Sequence, residues 1–155
     1  MPGRWLAIAA RRGYYLDMRI LATGDRAWPC DDLAMVVLNR LVARYGRDIV
    51  IVHGGCPGVD ESFNNACKSL GITVEVRLES WPQTRTPTIG NRNRELIKPG
   101  ADLCITLHRY VRTSYRTRDC ILQTLQAGIP TFLIEDERAI PTRLWRADPR
   151  SLRRE

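Results

Sequence analysis

The sequence predicts one α/β domain of Rossmann-like design, with a mostly parallel sheet of five or slightly more strands and helices on both faces. Short apolar runs rich in β-branched residues alternate with helical segments along the chain, and most of the connections between them are short. One run, 49–53, is continuously β-branched, which is typical of a central parallel strand covered on both faces. The length of 155 residues fits one ordinary domain with a sizeable core.

Five segments have the composition of strands. Besides 49–53, the run 73–78 alternates apolar and polar residues, which favours a position near the edge of the sheet. The remaining predicted strands are 19–23, 102–107 and 130–134.

Helical periodicity fills the intervals between these strands. Asp31 or Asp32 is predicted to cap the first helix, which runs to Tyr45 before Gly46. Alternation of this kind specifies right-handed crossovers that place helices on both faces of the sheet. The other helices are predicted over 59–70, 91–98 and 116–127.

The folded domain is predicted to cover residues 18–137. Residues 1–17 show no clean periodicity, so we expect either a poorly ordered leader or untranslated sequence before a true start at Met18. Residues 138–155 hold six arginines against two acidic residues and are predicted to be a basic C-terminal tail.

The composition excludes several classes of protein. No apolar run approaches the roughly 18 residues of a membrane span, and the run 5–10 is followed by arginines and lacks a signal cleavage site, so we expect a cytoplasmic protein without a membrane partner. The five cysteines form no CxxC pair, which argues against a disulfide framework and against a structural zinc site; no metal site is predicted. The net charge is +7, and 22 of the 24 basic residues are arginine, which fits either a polyanionic partner or a solvated basic face.

The strongest candidate for a binding site follows the second strand. In open α/β sheets, ligands bind outside the carboxyl ends of the strands. Gly54, Gly55 and Gly58 allow a close approach to a ligand, and the amides of the following helix favour an anion, so the segment resembles a phosphate cradle. The same glycines also fit a plain strand-to-helix turn. Asp60 also fits the role of a helix cap, and His53 fits the role of a buried structural residue.

The turn after the first strand is a second candidate. Gly24 allows close approach, and the guanidinium of Arg26 presents a fork that suits phosphate. The indole of Trp28 offers a stacking face for a base, although a place in the core fits it equally well.

A third candidate is the start of the helix predicted over 91–98. Asn91 is predicted to cap this helix while Arg92 and Arg94 bind an anion, the alternative being a solvated first turn. A basic loop lies further along the chain, because residues 109–118 hold four arginines and no acid.

Taken in order, the motifs T-G-D-R-x-W, V-H-G-G-x-x-G-V-D, N-R-N-R-E-L and T-R-D-C-I-L before A-G-I-P resemble the YspA (cpYpsA-related) family of the SLOG (Smf/DprA–LOG) superfamily. The resemblance runs from about Met18 to Ile134. It implies a Rossmannoid fold whose pocket binds nucleotides or nucleotide-derived molecules. The pocket residues that it implies are Gly24, Asp25, Arg26, Gly54, Gly55, Gly58, Asp60, Asn91, Arg92 and Arg94.

The loop after the fourth strand departs from the pattern of related proteins, which carry a P-G-G-x-G-T type loop there. In residues 108–117 only Thr117 matches that motif, so the backbone is not predicted to cradle a phosphate there. Either side chains, Arg116 among them, bind the phosphate instead, or the segment is a flexible basic loop that contacts nothing. The catalytic glutamate of LOG-type enzymes corresponds to Cys120, and Asp119 points about a quarter turn away on the helix. The resemblance therefore disfavours LOG-like hydrolysis.

The leading prediction is a module that binds a nucleotide or nucleotide-derived phosphorylated ligand, with the ligand and any cofactor left unnamed. One alternative is a nucleoside monophosphate phosphoribohydrolase that uses Asp25, Asp60 or Asp119. The other is a DprA-like binder of single-stranded nucleic acid, suggested by the charge and ranked below the first two. Exposed helices on such sheets often pair, which is compatible with a homodimer.

Overall fold

The computed structural model describes residues 17–77 and 88–145. Its strands form a single sheet in which five strands are parallel and the last is antiparallel. This arrangement confirms the predicted fold class. In chain order the strands are β1 (Met18–Gly24), β2 (Ile49–His53), β3 (Thr73–Val76), β4 (Leu103–Leu107), β5 (Thr131–Ile134) and β6 (Thr142–Leu144).

The strand order is β3-β2-β1-β4-β5-β6, so the chain builds outward from β1 in one direction and then returns to add β4 on the other side. Leu21 of β1 lies opposite Val52 of β2 and Cys104 of β4, which places the three carboxyl ends side by side. The boundary between β1 and β4 is the switch point at which such folds leave a crevice for a ligand.

Over residues 17–77 and 88–145, four helices and a short 3-10 turn, Val111–Thr113, connect the strands. The first pair of helices packs together against one face of the sheet, and the second pair packs together against the other. In chain order they are α1 (Asp31–Tyr45), α2 (Val59–Leu70), α3 (Ile89–Ile97) and α4 (Tyr115–Gln126).

Strand β2 shows why the sequence around residue 50 is continuously apolar. Ile49 and Ile51 belong to the core under α1 and α2, whereas Val50 and Val52 belong to the core under α3 and α4. All four side chains are buried, and burying each contributes about 1.5–3 kcal/mol. The strand is thus held from both sides, and it positions the loop that follows it.

Two predicted helix caps are wrong. Cys30 occupies the cap position of α1 without a side-chain bond, and Asp31 and Asp32 lie inside its first turn, where their charge favours the helix dipole. In α3 the cap is Thr88, whose hydroxyl accepts a hydrogen bond from the amide of Asn91. Asn91 is therefore the capped residue and does not itself cap the helix.

The sheet continues beyond residue 137, where the sequence predicted a tail. Strand β6 pairs with β5, and Leu144 is buried in a small core with Val111 and Leu133. The predicted leader up to residue 16, residues 78–87 and residues 146–155 lie outside the described residues. Within residues 17–77 and 88–145, no helix combines the length and apolar character needed to cross a membrane.

Candidate functional site

The carboxyl ends of β1 and β2 meet α3 and α4 around a cleft of about 560 Å³, a volume that includes the part open to solvent. The turns after β1 and β2 and the start of α3, three of the segments predicted to form a site, converge there. The start of α4 completes the wall. The residues that line the cleft are Thr23, Gly24, Arg26, Gly54, Cys56, Asp60, Arg77, Arg92, Asn93, Glu95, Leu96, Arg116, Thr117 and Cys120.

The turn after β1 is shaped by contact with the end of β4. A Cβ at Gly24 would lie 2.0 Å from the carbonyl oxygen of Leu107, so no other residue fits without displacing one of the strands. The amide of Asp25 donates to the same oxygen at 3.0 Å. Gly24 is therefore explained by the joining of two strands. Arg26, two residues on, makes no side-chain hydrogen bond or ion pair with any other residue of the described ranges.

Residues 53–60, here called the glycine loop, use three of their own amides internally. The Oδ2 atom of Asp60 accepts hydrogen bonds from the amides of Gly54 at 3.1 Å and Cys56 at 3.2 Å. The amide of Gly55 donates to Nδ1 of His53 at 2.9 Å. These three amides would otherwise be available to a phosphate at the carboxyl end of β2. The loop therefore closes on its own side chains.

Both ring nitrogens of His53 are engaged. Because Nδ1 accepts from Gly55, the proton is assigned to Nε2, which donates to the side-chain oxygen of Asn64 at 3.0 Å. The side chain is buried. His53 thus supports the loop and keeps no ring nitrogen for an anion.

Burial also sets the protonation of the loop's side chains. It raises the pKa of Asp60, although the amides of Cys56 and Gly54 and the nearby His53 and Arg26 oppose the shift. Burial likewise raises the pKa of the Cys56 thiol, while Arg26 and Arg92 act in the opposite direction. Both arginines therefore approach Cys56, whose thiol is protonated and lacks the thiolate character of a reactive cysteine.

Four arginines line the cleft, and two of them differ sharply in their contacts. The guanidinium of Arg77 donates to the carbonyl oxygens of Leu96 at 2.7 Å and Gly100 at 2.8 Å, and it pairs with Glu75 at 2.9 Å. It therefore holds the end of α3. The Nη1 atom of Arg116 is buried and has no hydrogen-bond acceptor among the described residues. Leaving a buried donor unpaired costs about 1–3 kcal/mol, and more for a charged group.

The position of Arg116 is fixed by a network between α3 and α4. The side-chain amide of Asn93 donates to the carbonyl oxygen of Arg116 at 3.1 Å and to Oδ2 of Asp119 at 2.9 Å. Gln123 donates to the same carboxylate oxygen and to the carbonyl of Gly90, each at 2.9 Å. Asp119 is thus a structural acceptor that ties the two helices together.

Cys120, which the resemblance aligns with the glutamate of LOG-type enzymes, lines the cleft. Burial raises the pKa of its thiol well above the usual range. A protonated thiol cannot act as a carboxylate base.

The other predicted site residues lie outside the lining of the cleft. Trp28 is buried in the core, with the guanidinium of Arg109 4.7 Å from the centre of its ring. Asp25 accepts the amide of Ala27 at 2.8 Å and lies 4.0 Å from Nε2 of His108. The remaining ones are His53, Gly55, Gly58, Asn91 and Arg94.

Several lining residues were not predicted from the sequence. Glu95 and Leu96 are three and four residues after Arg92 on α3, and this spacing puts them on the same helix face. Helical spacing from Arg92 therefore predicts that both residues face the cleft. Thr23, Arg77 and Asn93 carry no comparable local signal. Within the described ranges, no cluster of three or more His, Cys, Asp or Glu residues is placed to hold a metal ion.

The fold and the cleft together define a Rossmann-like α/β domain with an arginine-lined cleft at the carboxyl ends of its strands. Residues 18–81 match the family model described as YAcAr: YspA, cpYpsA-related SLOG family. Over these residues the chain matches this family, which confirms the resemblance drawn from its motifs. The match spans β1 to β3 and ends before the helices that carry Arg92 and Arg116.

A relative from Mycobacterium phage D29, Gene 61 protein, is 27% identical over 124 residues, which cover 77% of this chain and 98% of the phage protein. Its name states no ligand or activity. No solved structure gives a significant match to the chain.

Proposed function

We propose that the cleft binds a nucleotide or nucleotide-derived phosphorylated ligand. The observation that carries this proposal is the buried Nη1 atom of Arg116, a charged donor in the cleft without an acceptor among the described residues. A phosphate oxygen is the acceptor that a guanidinium binds best, often through two parallel hydrogen bonds.

The charges around the cleft favour an anion. Its lining holds four arginines, Arg26, Arg77, Arg92 and Arg116, of which Arg77 is held by carbonyl oxygens and by Glu75. The acidic residues of the same lining are Asp60 and Glu95. The cleft therefore suits a ligand that carries phosphate.

Family membership extends this chemistry from phosphate to nucleotide, because the SLOG family suggests nucleotide-related binding or processing. Glu95, also in the lining, would accept a hydrogen bond from a ribose hydroxyl or a base amine.

The three aspartates named for the hydrolase alternative support binding ahead of hydrolysis. Asp60 closes the glycine loop, Asp119 joins α3 to α4, and Asp25 caps the amide of Ala27. A general acid or base needs an oxygen within reach of the substrate, and each of these groups is engaged in holding the fold.

The first test is thermal unfolding of the protein with a panel of nucleoside mono-, di- and triphosphates, cyclic nucleotides and ADP-ribose. At least one compound is expected to raise Tm, with about 2.7 kcal/mol of stabilisation at a ligand concentration of 100 times Kd. If no member of the panel changes Tm or gives heat in calorimetry, the proposal fails.

The second test is Arg116→Gln, which removes the charge and the buried donor. Binding of the best ligand is expected to weaken by about 10- to 150-fold, the loss of one charge-assisted hydrogen bond. Arg44→Gln is the matched control, because Arg44 is an exposed residue in the last turn of α1, outside the lining of the cleft. Equal affinity of the two variants would contradict the role given to Arg116.

A further inference from the structure

We propose that residues 109–118, here called the rim segment, form a binding surface for single-stranded nucleic acid beside the cleft. The surface combines exposed tyrosine rings with arginines on one short stretch of chain. It goes beyond the proposed small-ligand function, because the tyrosines lie outside the lining of the cleft.

The charge of the rim segment has one sign. Its ten residues hold four arginines and neither aspartate nor glutamate. Arg109 is exposed, and its guanidinium lies over the ring of Trp28 at 4.7 Å, so stacking on a core residue holds this cation at the surface. Such a stretch of positive charge attracts the phosphates of a nucleic acid backbone.

The aromatic side chains distinguish this surface from an ordinary basic loop. Tyr110 is 67% exposed and Tyr115 is 63% exposed, the two largest values among the exposed large hydrophobic residues of the described ranges. They are five positions apart in the sequence, so their backbones lie at most about 18 Å apart, within reach of one short oligonucleotide. Every base has a face that stacks on such a ring.

The backbone that carries the rings is ordered by its own contacts. Val111 is buried with Ile121 and Leu133, and the amide of Tyr110 donates to Nδ1 of His108 at 2.9 Å. The amide and hydroxyl of Thr113 both donate to the carbonyl oxygen of Tyr110. The backbone of the rim segment therefore loses little conformational freedom when a nucleic acid binds, which favours affinity.

Trp145 gives an internal comparison. It is also exposed, at 56%, but the guanidinium of Arg143 lies 3.9 Å from the centre of its ring and occupies one face. Among the described residues, no arginine is stacked in this way on Tyr110 or Tyr115. The tyrosine rings therefore present faces to which a base has access. A duplex hides its base faces, so the chemistry selects single strands.

The experiment measures fluorescence anisotropy of a labelled oligothymidylate with the full chain at several salt concentrations. The logarithm of the binding constant is expected to fall with the logarithm of salt, with a slope of about −0.7 for each phosphate of the single strand that the protein neutralises. Tyr110→Ala and Tyr115→Ala are each expected to weaken binding by about 5- to 150-fold. Tyr110→Phe keeps the ring and is expected to retain binding.

Trp145→Ala is the matched control and is expected to bind as the original chain does. Circular dichroism checks that each variant folds. Absence of binding, unchanged affinity of both tyrosine-to-alanine variants, or equal affinity for a duplex of the same length would each overturn the proposal. Because the tyrosines do not line the cleft, their variants are expected to bind the small ligand normally, so the two proposals can fail separately.

Discussion

The glycine loop and the start of α4 border the same cleft, yet they offer it different chemistry. In the glycine loop the amides of Gly54, Gly55 and Cys56 are bound by side chains of the loop itself. At the start of α4, the carbonyl of Arg116 is fixed by Asn93 while its guanidinium keeps a buried donor without an acceptor among the described residues.

This comparison distinguishes residues that give the cleft its shape from residues that would recognise a ligand. A segment whose donors are already paired contributes a wall, because binding a ligand there would first require breaking internal hydrogen bonds. A segment with an unpaired charged donor gains a hydrogen bond when an anion arrives. On the proposed function, the glycine-rich motif maintains the shape of the cleft, and the arginine side chains attract the ligand.

The largest expected effect concerns the shape of the glycine loop. Gly58 has φ +75°, and a Cβ there would lie 2.3 Å from the carbonyl oxygen of Asp25 and 2.6 Å from that of Arg26. Gly58→Ala therefore adds a clash with backbone to the strain of a positive φ, and we expect it to lower the free energy of unfolding by about 3–5 kcal/mol. Urea unfolding measures the loss.

Gly128→Ala is the control for this variant. Gly128 has the same φ of +75°, but a Cβ at this position would meet nothing within 4 Å, so only the backbone strain applies. The expected loss is about 1–2 kcal/mol. Equal losses in the two variants would show that close packing of the turns after β1 and β2 is unimportant.

A smaller effect is expected where the loop pairs its own amides. Asp60→Ala leaves the amides of Gly54 and Cys56 without their acceptor and is expected to cost about 2–4 kcal/mol of unfolding free energy. Asp60→Asn keeps a side-chain oxygen and is expected to cost less than about 1 kcal/mol. Chemical unfolding of both variants at one pH decides the matter; an alanine variant as stable as the original chain would mean that these bonds do not hold the loop.

The smallest effect is a pH dependence at the entrance to the rim segment. Burial lowers the pKa of His108 from its usual 6.5, and Asp25 opposes the shift. The unfolded chain therefore binds a proton at His108 more readily than the folded protein does. For this reason His108 stabilises the fold above its pKa in the unfolded chain, and this contribution is lost as the pH falls through its pKa in the folded protein.

The unfolding free energy of the original chain is therefore expected to fall more between about pH 7 and about pH 5 than that of His108→Asn. The asparagine oxygen can still accept the amide of Tyr110 in place of Nδ1. Parallel pH profiles for the two proteins would rule out this contribution.

The sequence was sufficient to predict the layers of the fold and the position of the cleft. Continuous and alternating apolar runs distinguish β2 from β3, and turn residues after parallel strands must gather at one edge of the sheet. Strand β6 was missed because Thr142–Leu144 is too short to show a period and is held by pairing with β5.

The chemistry of the cleft was less predictable. That Asp60 binds amides four and six residues earlier depends on the loop conformation, including φ +75° at Gly55, which no local pattern specifies. The four arginines of 109–118 look alike in sequence. The start of α4 is set against α3 by the contacts of Asn93 with the carbonyl of Arg116, 23 residues away, and with Asp119.

The most direct test of side-chain recognition compares Arg116→Gln with Gly54→Ala by calorimetry, using the nucleotide that raises Tm most. A Cβ at Gly54 would lie 3.5 Å from Oδ2 of Asp60, an ordinary contact, so the alanine disturbs only a close approach of ligand to the loop backbone. The expected result is a loss of affinity of about tenfold or more for Arg116→Gln and less than about threefold for Gly54→Ala. The reverse order would contradict the account, because it would place the phosphate on the glycine loop.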